Sequence, residues 1–258
     1  MSSVTTLPMG TETVDRRVLG GFRLVDSITG KTVTDGMTVT GTVLKIRANR
    51  SGVWAVLDAP GLSAATNDFA GTAAPPPPQK FVIQVSDPAR YYLPRQATLT
   101  LPAPPAPVGT AGIFMPQVVT VFAGPNAGTG INWAKLRLSV VNAATSQRLG
   151  HALVQVTSTA TNAVLATGMT DLRGEALLAV PGLGVTASAA AGGAVMQKST
   201  AVSITAFFDT ATSNQPPGWL PDPDRMLLNL KGASVKSATQ AAQLSPGTAQ
   251  SFMLSISF

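Results

Sequence analysis

Residues 152–182 read ALVQVTSTATNAVLATGMTDLRGEALLAVPG. Within it, Ala152-Leu153-Val154-Gln155-Val156-Thr157 alternates apolar and polar, as a strand with one buried and one wet face must. Thr161-Asn162 turns, Val164-Leu165-Ala166-Thr167-Gly168-Met169-Thr170 runs on, and Asp171-Leu172-Arg173-Gly174 turns again. Residues 176–180 return as a third strand, stopped by Pro181-Gly182. Short strands broken by Asx and glycine turns at this spacing leave no room for an amphipathic helix and predict a β-sandwich.

The same text extends in both directions. Upstream, Phe22-Arg23-Leu24-Val25 leads into the turn Asp26-Ser27-Ile28-Thr29-Gly30-Lys31, and Met37-Thr38-Val39-Thr40-Gly41-Thr42-Val43 alternates and continues through Lys45-Ile46-Arg47. Asn49-Arg50-Ser51-Gly52 turns into Val53-Trp54-Ala55-Val56-Leu57, and strands are predicted over 81–85 and 96–101. Residues 118–122 either end this first unit or bridge to the next. Downstream, strands are predicted over 135–141, 202–207, 226–230 and 252–258, with 209–224 as a Pro/Gly/Asp loop. Pro75-Pro76-Pro77-Pro78 is a stiff spacer, and 102–112, rich in proline, alanine and glycine, is an extended connection. The expected architecture is all-β: two tandem Ig-like or transthyretin-like sandwiches joined by a Pro/Gly-rich connection. Its expected parts are an N-terminal arm over 1–17, a first sandwich over 18–112, a connection over 113–133 and a second sandwich over 134–258. Two echoes hint at duplication: Phe22-Arg23-Leu24 with Leu136-Arg137-Leu138, offset by 114 residues, and Val56-Leu57 through Pro60-Gly61 with Leu177-Leu178 through Pro181-Gly182, offset by 121.

The segment 150–185 resembles the carboxypeptidase regulatory-like domain, a small transthyretin-like sandwich, over about residues 134–210. Gly150 opens a strand, Thr170, Asp171 and Gly174 form the Thr-Asp-x-x-Gly hairpin turn, and Pro181-Gly182 closes the next strand. The aromatic often found after the hairpin glycine is absent, since Glu175-Ala176-Leu177 stands there. The resemblance implies an accessory, non-catalytic module, as found in secreted enzymes, adhesins and phage-tail-like contractile injection particles. It is the last group that a cysteine-free copy behind a second Ig-like unit most resembles.

Composition fits that expectation. Among 258 residues only 12 % are charged, about half the ~25 % usual for a soluble domain, which leaves a surface that is neutral-polar or covered by partners. The net charge of +6 is thinly spread, with Arg16-Arg17 and the trio Lys45, Arg47, Arg50 as its local concentrations and no aromatics interleaved to stack bases, so nucleic acid is not an expected partner. No apolar stretch is long enough for a transmembrane helix, and none follows a basic start within residues 1–21. The expected history is therefore cytoplasmic synthesis without a cleaved leader, followed by incorporation in a released or extracellular particle.

Candidate chemistry is sparse, and no catalytic, cofactor or metal residues are assigned. His151 is the sole histidine, sits at a strand start and has no Gly-x-Ser-x-Gly elbow to serve. Asp209, Asp222 and Asp224 are too few oxygen ligands for a calcium loop and read as turn carboxylates in water. Gly182-Leu183-Gly184-Val185-Thr186-Ala187 fits the dinucleotide pattern G-x-G-x-x-A, but no amphipathic helix follows it. Trp54 reads as core, whereas Trp219, in Gln215-Pro216-Pro217-Gly218-Trp219, is either a binding anchor or a cap on the sandwich end. The alternating end Phe252, Leu254, Ile256, Phe258 must pack on its own sheet or on a neighbour's. Other subunits of a large assembly are the expected partners. The alternative is a carbohydrate- or cell-surface-binding module anchored on Trp219.

Overall fold

A computed structural model describes residues 18–63, 66, 76–103, 115–184, 199–216 and 218–258. The expected arm over 1–17, most of the proline-rich stretches and the second half of the G-x-G-x-x-A match lie outside the described residues.

The first seven strands are β1 (Gly20–Asp26), β2 (Thr38–Thr40), β3 (Lys45–Ala48), β4 (Val53–Asp58), β5 (Gln79–Ser86), β6 (Arg95–Leu101) and β7 (Gln117–Val121). They form two sheets, ordered β3-β4-β1-β7 and β2-β5-β6. The next seven are β8 (Ala134–Asn142), β9 (Leu153–Ser158), β10 (Val164–Met169), β11 (Glu175–Val180), β12 (Thr200–Asp209), β13 (Val235–Leu244) and β14 (Ala249–Ile256), in sheets ordered β11-β8-β14 and β10-β9-β12-β13. The alternating side chains of each sheet pair close one apolar layer. Phe22, Leu24 and Val56 meet Ile83, Val85 and Leu99 in the first sandwich, while Leu136, Leu138 and Leu178 meet Val154, Val156 and Ile204 in the second. Each fully buried Leu, Ile or Phe contributes roughly 1.5–3 kcal/mol of transfer free energy. The tandem β-sandwich expectation therefore holds.

The two halves share one wiring. In each, the first strand pairs antiparallel with the fourth and parallel with the seventh, and the fifth pairs with the second and the sixth. Only the third strand changes sides, β3 pairing with β4 but β10 with β9. Their turns match bond for bond. Asp26 Oδ1 accepts from the amides of Ile28 and Thr29, and Asn142 Oδ1 accepts from those of Ala144 and Thr145. Asn49 Oδ1 accepts from the amides of Ser51 and Val53, and Asp171 Oδ1 from those of Arg173 and Glu175. Each of the latter turns closes on a glycine in the left-handed region, Gly52 at φ 77° and Gly174 at φ 72°. These equivalences set the true offsets at 116 residues for Asp26 and Asn142 and 122 for Asn49 and Asp171. Buried Val56 thus corresponds to buried Leu178 rather than to Leu177. The closing Pro-Gly pair keeps the offset of 121 because Ala59 is one extra residue.

Four sequence expectations need correction. The long strand expected over 37–47 is two strands, since a turn in which the Leu44 amide donates to the Gly41 carbonyl carries the chain from one sheet to the other. The expected end of the first sandwich at 112 moves, because residues 118–122, read as either ending that unit or bridging to the next, fall largely in β7, which is hydrogen-bonded to β1. The strand expected over 226–230 is instead a short helix, α1 (Pro223–Leu228), because Asp222 caps its N-terminus and Pro223 fits its first turn. The strand that follows is β13, missed because its inward residues are mostly small.

Candidate functional site at the joint of the sandwiches

The hairpin turn that marks the second sandwich also shapes its end. Thr170 is fully buried, and its hydroxyl donates to the Leu149 carbonyl (2.8 Å) and accepts from the Ala152 amide (2.8 Å). A side chain on Gly150 would meet the Asp171 carbonyl at 3.1 Å, so glycine lets the two turns pack. Between them His151 is held at φ 63°, its amide donating to the Thr170 carbonyl. Its ring lies 5.6 Å from that of half-buried Trp219, tilted by 53°. Burial lowers the His151 pKa below the ordinary histidine value, against the opposing pull of Asp171.

Trp219 belongs to the segment 210–234, which packs back onto the first sandwich. There Arg95, at the start of β6, has no exposed surface. Its guanidinium donates to the Thr120 carbonyl (2.6 Å) and to Asp224 (2.5 Å), with Asp222 at 3.5 Å. Asp222 also accepts from the Thr98 hydroxyl (2.9 Å) and from the Arg225 amide, and the Gln96 amide donates to the Pro221 carbonyl (2.9 Å). A buried cation needs such partners, because removing them would leave its charge uncompensated away from water. Beside it, Leu93 and Phe122 of the first half join Leu153, Met169, Phe207, Met226, Leu227 and Leu230 of the second in a small shared core. Asp222 and Asp224, expected to stand in water, therefore clamp one sandwich to the other, while Asp209 caps its own turn by accepting from the Ala211 amide.

Two cavities flank this joint, and His151 and Met169 line both. The larger, about 710 Å³, lies between the 86–94 segment and the 169–173 turn. The Asp87 carboxylate beside it is taken up by the amides of Ala89, Tyr91 and Tyr92. The Tyr92 hydroxyl donates to Asp26 (2.8 Å), and burial together with that carboxylate pushes its pKa up. The smaller cavity, about 350 Å³, is lined by Trp219, by Gln96 of the first sandwich, and by Asp209, Gln215, Arg225 and Asn229 of the second.

The other predicted contact residues are placed differently. β14 pairs with β8 of its own sheet, and Leu254 and Ile256 are buried in its own core, with Phe252 packed against it. Phe258 stacks on Phe208 at 5.4 Å and stays 45 % exposed. The large apolar side chain that this strand exposes is Met253. Sequence reasoning missed Arg95 altogether. The signal within reach was Asp222-Pro223-Asp224, which reads as a helix start as readily as a turn.

Among the described residues no three His, Cys, Asp or Glu side chains gather to hold a metal, and no helix is long and apolar enough to cross a membrane. No family model matches the chain, and no curated protein matches it. Among solved structures, it is similar to the Bacillus anthracis TIE protein, with a TM-score of 0.28, 10 % identity and 93 % of this chain covered. It spans only 34 % of that protein's chain. It is also similar to the shaft pilin SpaA from Lactobacillus rhamnosus GG, with a TM-score of 0.25, 13 % identity, and 93 % and 97 % of the two chains covered. A leucine-rich repeat protein from Bacteroides thetaiotaomicron superposes at a TM-score of 0.20 and 9 % identity, with 93 % of this chain and 26 % of that one covered. Superpositions this loose transfer no role to this chain.

Proposed function

We propose that this chain is a non-catalytic structural and docking subunit of a multi-protein assembly, two sandwiches acting as one stiff body. The observation that carries the reading is the joint. A fully buried arginine gripped by two carboxylates from the opposite half, with a shared apolar core beside it, removes the hinge that a flexible two-domain binder would need. A stiff spacer with a surface poor in charge suits a body that is fixed between neighbours. His151 has a tryptophan ring against it and no side-chain hydrogen bond among the described residues, so it lacks the partner that a general base uses. The resemblance of 150–185 to the regulatory-like module adds the kind of assembly, a phage-tail-like contractile injection particle.

The test is isolation of the tagged protein from its host under gentle conditions, followed by mass measurement and negative-stain imaging. Stoichiometric recovery within a large particle is the expected result. Elution as a lone monomer of 26.4 kDa would overturn the reading.

A further inference from the structure

We propose that the smaller cavity at the joint is a binding site for a neutral saccharide, with Trp219 as its platform and amides from both sandwiches as its hydrogen-bonding rim. Its volume of about 350 Å³ lies within the ~300–1,000 Å³ of small-ligand pockets. Trp219 is among its lining residues, and the electron-rich face of an indole is the kind of surface that takes the C–H face of a pyranose ring. The His151 ring lies 5.6 Å from that indole, and the Trp219 amide donates to the Pro216 carbonyl.

The rim has the matching chemistry. Gln96, Gln215 and Asn229 line the cavity, and a carboxamide can donate to one hydroxyl and accept from its neighbour. None of these amides, nor the Arg225 guanidinium, has a side-chain hydrogen bond or ion pair among the described residues. The Asn229 side chain lies over Gly232, where any Cβ would collide with it.

Charge then selects the class. Arg225 and Asp209 both line the cavity, one cation and one anion, and Asp222 is committed to Arg95 and Thr98. A phosphate or carboxylate would find no surplus of cations here, whereas a neutral polyol needs none. Because Gln96 comes from β6 and the other groups from the 209–229 segment, the site exists only while the joint is closed.

The experiment titrates the isolated full chain with cellotriose, chitotriose and mannotriose, and with adenosine monophosphate as an anionic aromatic control. The readouts are the indole N–H resonance of Trp219 and calorimetry. At least one trisaccharide is expected to saturate and to shift that resonance. Trp219→Ala should weaken binding about tenfold or more, as expected for a central aromatic anchor. Gln96→Ala, on the opposite sandwich, should also weaken it while leaving the melting temperature unchanged, which separates loss of contact from loss of fold. No shift with any trisaccharide, a shift with the nucleotide alone, or binding that survives both substitutions would overturn the proposal. Recovery within a particle is read independently, so either proposal can fail without the other.

Discussion

His151 sits in backbone space that residues with a Cβ seldom enter, at φ 63°, with its ring pressed on Trp219. Burial keeps the ring neutral at a pH where the unfolded chain already takes up a proton. As pH falls below about 6.5, protons bind the unfolded state first, so stability must fall with them until the folded-state pKa is passed. Asparagine tolerates the left-handed conformation and does not titrate. His151→Asn is therefore expected to flatten the difference between urea midpoints measured near about pH 5 and about pH 7.5. An unchanged difference would place the titration elsewhere. Sequence alone singled out His151 and Trp219 separately. Their meeting was hidden because 68 residues separate them and no local pattern encodes the contact.

At the scale of elements, β14 shows what alternation can and cannot deliver. Its period of two placed Leu254 and Ile256 on one face and Met253 on the other, as the fold has them. Leu254→Ala should cost about 2–5 kcal/mol, as emptied core leucine sites do. Met253→Ser, on a side chain 65 % exposed, should stay within about 0.5 kcal/mol. Paired chemical denaturation curves give both numbers, and equal costs would mean that the strand is not seated as described. Alternation failed where its residues were ambiguous. Met226-Leu227-Leu228-Asn229-Leu230 suits a strand or a helix turn equally, and only the Asp-Pro start before it breaks the tie. β13 escaped notice because Ala238 and Ala242 carry its inward face, too small to stand out from Thr and Ser. Turns were the most legible part, since Asn49, Asp171 and their glycines make local bonds that need no tertiary partner.

For the whole molecule, the joint makes one unit of two modules. Phe122 is 1 % exposed within the shared core, although it directly follows β7. With the joint intact, calorimetry should show a single unfolding transition. Phe122→Ala, which empties that core, should split it into two. Two transitions in the unsubstituted chain would mean that the modules melt independently. The tandem arrangement was readable from strand count and turn spacing, but the joint was not. Arg95 and Asp224 lie 129 residues apart, and a charged strand residue ordinarily faces water. One further property follows from the wiring. In both sandwiches the first and last strands are parallel neighbours, so the chain enters each module at one end of that ladder and leaves at the other. A pull on the two ends would load the whole ladder, from Lys135–Ala249 to Asn142–Ile256, sideways and all at once instead of peeling it bond by bond. Tension applied along the body would thus be spread over every rung of the ladder.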